Sequence, residues 1–204
     1  VKEKVIMIFE TLQILKEQLE TYFEQVGLEK NIVLENLALL DGGGDKADNV
    51  EGKVIMSLLS IQEETTLKNI PSNKLVNNKT EQYNPPVNIN LFFIVSANCD
   101  SYDKSLLSIG KTVEFFQGQK LFTAKNTIYN RANASLQDLA DFKFIVDLYT
   151  PGFEVWNHIW GTFGGRQLPS VIYKIQLLQL SRHKKLGETS LISEINGTLN
   201  HINE

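Results

Sequence analysis

Apolar residues recur at Val1, Val5, Ile8, Phe9, Leu12, Leu15, Leu19, Tyr22, Phe23 and Val26, and Gly27 stands where a helix of that length would stop. The spacing predicts one long amphipathic helix. Its other side, with Lys2, Lys4, Glu10, Gln13, Lys16, Glu17, Glu20 and Glu24, is a wet face. Ile32 to Leu40 reads as a short strand, and the run from Val50 to Ile61 as a long one. From Val87 to Ser96, alternation at Val87, Ile89, Leu91, Phe93 and Val95 gives way to continuous apolarity, so this strand starts half-exposed and ends buried on both faces. It should lie at the centre of a sheet.

Further on, Ser101 to Gln117 predicts a helix with Asp100 or Ser101 as N-cap and Leu106, Leu107, Ile109, Val113, Phe115 and Phe116 as its apolar surface. Leu121 to Leu139 is less regular. Phe142, Phe144, Val146 and Leu148 alternate as a strand that Pro151 and Gly152 end. Phe153 to Phe163 fits a short helix closed by Gly164 and Gly165, and Pro169-Ser170 opens a last strand through Leu180. The elements predict an α/β (α+β) domain over residues 1–182, with a mostly antiparallel or mixed sheet and its helices on one face.

Two stretches fall outside this pattern. Residues 63–86 are polar and rich in asparagine, with Pro71, Pro85 and Pro86 as punctuation, and read as a mobile loop or contact surface. Residues 183–204 read as a C-terminal arm in which Leu191, Ile192, Ile195, Leu199 and Ile202 fall at helical spacing, suited to docking on a neighbour.

A chain of 204 residues can bury roughly 70% of its unfolded surface, and 42% hydrophobic with 22% charged residues is the composition of a self-sufficient core. Twenty basic residues against twenty-four acidic ones are scattered, without the stripe that a nucleic-acid partner would require. No apolar run approaches the roughly 20 residues of a bilayer span and no export signal stands at the N-terminus, which points to a cytoplasmic protein without direct membrane insertion. Asn133-Ala-Ser135 and Asn196-Gly-Thr198 match a glycosylation pattern that has no meaning without secretion.

Catalytic constellations are not evident. His158, His183 and His201 lie far apart and beside no paired carboxylate, so they define no metal site, and Cys99 reads as a small hydrophobe ending a strand. Asp41-Gly-Gly-Gly-Asp45 lacks the Gly-Lys-Ser/Thr of a phosphate loop and carries two carboxylates that would repel a phosphate, so it reads as a turn. Glu63 and Glu64 form a solvated pair at the rim of the polar stretch. Trp156 and Trp160, at i and i+4, share a helix face and read as anchors in a core; Phe92, Phe93, Phe115 and Phe116 read as packing. No cofactor and no enzymatic activity are expected.

Trp156-Asn-His-Ile-Trp160-Gly161 followed by Leu168-Pro169-Ser170-Val-Ile-Tyr173, together with the strand after Pro85-Pro86 and the helix that follows it, resembles the N-terminal domain of cap proteins, or tail terminators. These belong to contractile injection systems of the antifeeding-prophage and Photorhabdus virulence cassette type. The resemblance spans roughly residues 1–182, departing from the family pattern in the asparagine-rich stretch. It implies Trp156, Trp160, Pro169, Ser170 and Tyr173 as packing residues of the family signature. It also implies a homohexameric ring that ends the inner tube and joins it to the sheath, with the tube and sheath proteins as partners, within a particle that is released or membrane-anchored. Another non-enzymatic component, a baseplate adaptor or chaperone, is the alternative, distinguished by binding away from the terminal end. An enzyme using the tryptophan face as a pocket would need a buried, perturbed carboxylate or histidine in a deep cleft.

Overall fold

The computed structural model describes residues 8–41, 48–65, 73–76, 79–84, 87–134, 136–137, 139, 142–180 and 185–190, with residues 41, 73–76, 177–180 and 185–190 described by their backbone. Helix α1 (Ile8–Gln25) buries Leu12, Ile14, Leu15, Leu19 and Phe23. It ends in a Schellman turn. Leu28 N–H donates to the Phe23 carbonyl (2.8 Å) and Gly27 N–H to that of Glu24 (3.2 Å), which requires the positive φ of 76° at Gly27.

The central sheet has six strands: β1 (Ile32–Leu34), β2 (Lys53–Glu63), β5 (Val87–Asn98), β6 (Leu121–Thr123), β7 (Lys143–Tyr149) and β8 (Ser170–Leu180). Their spatial order is β1-β2-β5-β8-β7-β6. Only the β1–β2 pair among them is parallel, so the sheet is mixed. Strand β5 lies inside it, as its two-faced apolarity predicts, and Leu91 to Ala97 are all buried. The register shifts once in each pairing of β5, at Leu58/Ser60 against β2 and at Ile89/Leu91 against β8, as β-bulges do.

Helix α2 (Tyr102–Gly118) starts at Ser101, whose hydroxyl accepts from Lys104 N–H (3.3 Å). With α1 it covers one face of the sheet, over Val54, Met56, Phe93, Val95, Phe144 and Tyr173. The centre of this core is aromatic: Phe116 lies 4.4 Å from Tyr173, Tyr173 stacks on Phe93 at 5.6 Å, and Phe122 stacks on Phe144 at 5.4 Å between ring centroids. Helix α3 (Phe153–Thr162) does not join them. Its Trp160 packs with Ile55, Ile94 and Ile172, together with Leu37 from a 3₁₀ turn (Leu37–Asp41), in a second cluster. Ile94 and Ile172 alternate with Phe93 and Tyr173 along their strands, so this second cluster is on the opposite face. The expectation of helices on one face is corrected accordingly, because both faces of β5 are apolar and each needs a cover.

The polar stretch is more ordered than its composition suggests. Strands β3 (Asn73–Val76) and β4 (Lys79–Tyr83) pair antiparallel, and β9 (Lys185–Ser190) pairs with β4 to complete a three-stranded sheet. Residues 185–190, expected in the C-terminal arm, are thus a strand paired within the chain. The triple glycine at 42–44 and the arm residues Leu191, Ile192, Ile195, Leu199 and Ile202 lie outside the described residues.

The Tyr173 hydroxyl is buried, on a side chain 2% exposed, with no hydrogen-bond partner among the described residues. Burial without compensation raises its pKa well above the usual tyrosine range. Tyr173→Phe should therefore keep or raise the urea midpoint, by up to about 1–3 kcal/mol of stability, whereas Phe93→Ala should cost about 3–5 kcal/mol.

Candidate functional site

The signature residues are placed by α3 and the turn after it. Gly164 and Gly165, at φ 82° and 79°, reverse the chain, and Gly165 N–H closes onto the Trp160 carbonyl at 2.8 Å. The returning segment is fixed to the sheet by Ala97 N–H, which donates to the Pro169 carbonyl (3.0 Å), and Ser170 then pairs with Ser96 as β8 begins. An open groove of about 770 Å³ is left between α3 and this segment. Trp156, Trp160, Leu168, Pro169 and Ser170 line it, and Tyr102 and Phe153 form part of its wall.

Four of the five signature residues thus share one groove, and Tyr173 does not. Three residues beyond Ser170, it points into the aromatic core on the other face. The tryptophans also differ. Trp160 is 5% exposed, packs edge-on to Phe163 at 6.2 Å, and finds no partner for its indole N–H among the described residues, while Trp156 is half-buried. Phe92, Phe93, Phe115 and Phe116 are all buried.

The groove opens at the end of the sheet where β5 finishes, and two smaller concavities of about 380 and 240 Å³ open there too, sharing Gly52, Cys99 and Asp100. Side-chain amides hold this end together: Asn31 Nδ2 donates to the Gly52 carbonyl (2.7 Å) and Asn98 Nδ2 to that of Val50 (3.1 Å). Gly52 has φ 69°, and a Cβ there would sit 3.2 Å from Asp100 Oδ1. Cys99 is half-buried; its N–H donates to Ser105 Oγ (3.2 Å), and its Sγ lies 3.8 Å from Ser108 Oγ. None of these stitching residues except Cys99 and the capping candidate Asp100 stood out in the sequence, because single asparagines and glycines carry no period.

Among the described residues no group of three His, Cys, Asp or Glu side chains is placed to hold a metal. His158 is exposed on α3, and His183 and His201 lie outside the described residues. Glu64 accepts from the buried Asn90 Nδ2 (2.8 Å), a structural contact rather than half of a catalytic pair. Displaced titrations on the outer helices have a similar structural origin. The hydrogen bond from Lys111 (2.6 Å) and then that from Tyr22 hold Glu114 below the usual carboxylate range, and the same bond raises Lys111. These groups tie α2 to α1 rather than serving a cleft.

The sequence model of the Pvc16 N-terminal domain family matches residues 10–194. Two solved structures share the fold. One is the sheath/tube terminator of PVC, an extracellular contractile injection system, in its extended state: TM-score 0.65, 12% identity, 98% of this chain and 65% of that chain. The other is the tube-terminating cap of the anti-feeding prophage: TM-score 0.62, 13% identity, 95% of this chain and 62% of that chain. The chain spans a little under two thirds of the length of each. No curated protein matches it in sequence.

The different burial of the two indoles predicts different costs of removal. Trp160→Ala should lower the unfolding free energy by about 3–5 kcal/mol. Trp156→Ala, at the half-exposed wall of the groove, should cost about 1 kcal/mol or less by the same urea titration.

Proposed function

The chain belongs to the Pvc16 N-terminal domain family, and from that premise we propose that it is a structural cap, a tail terminator that ends the inner tube of a contractile injection particle and joins it to the sheath. The observation that carries this reading is the fold shared with two terminators along nearly the whole chain. The groove, open and aromatic-walled, supports a role in assembly. Among the described residues no helix is long and apolar enough to cross a membrane.

In this reading six copies close head to tail, and the ring seats on the last layer of the tube. Cyclic closure satisfies every lateral interface, so only the axial faces remain, and a polymer stops where one of them offers no template. Residues 191–204, with Leu191, Ile192, Ile195, Leu199 and Ile202, are the arm that reaches a neighbouring subunit in this proposal, and exposed strand edges offer it backbone pairing. The tube and sheath proteins are the axial and outer partners.

Three experiments test it. Light scattering on the purified 23.1 kDa chain should give roughly 139 kDa for a ring of six. Gold-labelled chain added to preformed tubes should mark their terminal end in electron micrographs; labelling of the baseplate end alone would replace the cap reading with an adaptor. Removing residues 191–204 should lower the ring mass or abolish sheath attachment, and a truncated chain that retains both would eliminate the arm.

A further inference from the structure

Helix α2 is amphipathic in an unusual sense. The side it turns to the protein carries Ser105, Ser108 and Thr112 beside Phe115 and Phe116, all buried. Ser105 Oγ and Thr112 Oγ1 donate back to the carbonyls of Ser101 (3.2 Å) and Ser108 (2.8 Å), so these hydroxyls are satisfied inside the helix and leave it a narrow inner face. Further apolar residues lie along an exposed flank beside that inner face. Tyr102, Leu106 and Val113 are 67%, 47% and 37% exposed and, at i, i+4 and i+11, fall on one stripe beside the half-buried Ile109. Through Tyr102 the stripe runs into the groove wall that holds Phe153, itself 90% exposed.

We propose that the outward face of α2, continued by Phe153, is a self-association surface that seats a second copy of this chain. The inference deepens the ring reading and rests on it, by naming the surface through which copies meet. Area supports it. The exposed parts of these side chains amount to on the order of 500 Å² of apolar surface, most of the roughly 800 Å² that a standard interface takes from each partner. Charge selects the occupant. A chain of net charge −4 repels its own copies in general. On α2, however, Asp103 and Glu114 are balanced by Lys104 and Lys111, whereas α1 sets Glu10, Glu17, Glu20 and Glu24 against Lys16 alone. The neutral helix is the surface that can receive the next copy, by whatever unlike face closes the head-to-tail ring, with least like-charge repulsion.

The test is the light-scattering mass of the wild-type chain, of Leu106→Glu/Val113→Glu, and of Phe9→Glu, which adds one charge at a 54% exposed position of α1. A wild type above 23.1 kDa, an α2 pair shifted to that monomer mass with an unchanged melting temperature, and an associated Phe9→Glu are the expected results. If the glutamate pair fails to fold, Leu106→Gln/Val113→Thr replaces it and should raise the dissociation constant at least tenfold. An associated α2 variant overturns the surface and leaves the ring reading standing. Dissociation by Phe9→Glu as well shows a general charge effect and overturns it too. A wild type that is monomeric at every concentration also overturns it, while labelling of tube ends separately judges the cap.

Discussion

Burial of strand β5 on both faces is the constraint from which the rest of the architecture follows. Leu91 to Ala97 are shielded without a break, so each face of the sheet must meet its own apolar layer. On one side α1 and α2 supply Leu15, Leu19, Phe23 and Phe116, and on the other α3 and the 3₁₀ turn supply Trp160 and Leu37. Each large apolar side chain removed from water contributes about 1.5–3 kcal/mol, and β5 alone commits Leu91, Phe92, Phe93, Ile94 and Val95. A chain of this length has few other elements to spare, so the helices are divided between the faces rather than gathered on one.

That division explains where surface features collect. A strand covered on both faces can be approached only at its ends. At the Asn98 end the chain needs room for the turns into α2, out of the Gly52 corner and from α3 into β8. Three concavities result there, held open by backbone contacts such as Ala97 to Pro169 and by the amides of Asn31 and Asn98. Helix α2 fits on its face through small hydroxyl residues and two phenylalanines, which lets its larger residues remain outside.

Periodicity was informative wherever one face of an element differs from the other. The helix over 8–25, the capped helix after Ser101, the strands at 87–98 and 143–149, and the two-glycine stop after α3 were legible for that reason. Lys79–Tyr83 and Lys185–Ser190 were not, since Lys-Thr-Glu-Gln-Tyr and Lys-Leu-Gly-Glu-Thr-Ser lack an apolar alternation and their pairing is supplied by backbone. The Trp, Pro-Ser and Tyr signature was legible as a string of residues but not as an arrangement. Strand alternation from Ser170 sends Ile172 to the α3 side and Tyr173 to the aromatic core, so neighbours in sequence serve opposite faces. Exposed Leu106, Leu107 and Val113 were misleading in another way. They carry the period of a buried face, and only the hydroxyls on the inner side reveal which face is turned in.

A terminator must differ at its two axial ends, because a molecule with equivalent ends would extend the polymer. For the proposed cap, such a difference runs along β5. Its Asn98 end carries the groove, the aromatic wall of Tyr102 and Phe153, and the stitched Gly52 corner. Its Val87 end is flanked in sequence by β4 and, beyond β8, by β9, strands of the three-stranded sheet whose sequences are predominantly polar. A concave end walled by Trp156, Tyr102 and Phe153 offers shape and aromatic surface to a partner, while a polar end built on backbone pairing tolerates water. If the ring forms with β5 along its axis, the Asn98 end is the one with the chemistry to seat on a tube, and the neutral stripe of α2 lies lateral to it, where the next copy would be.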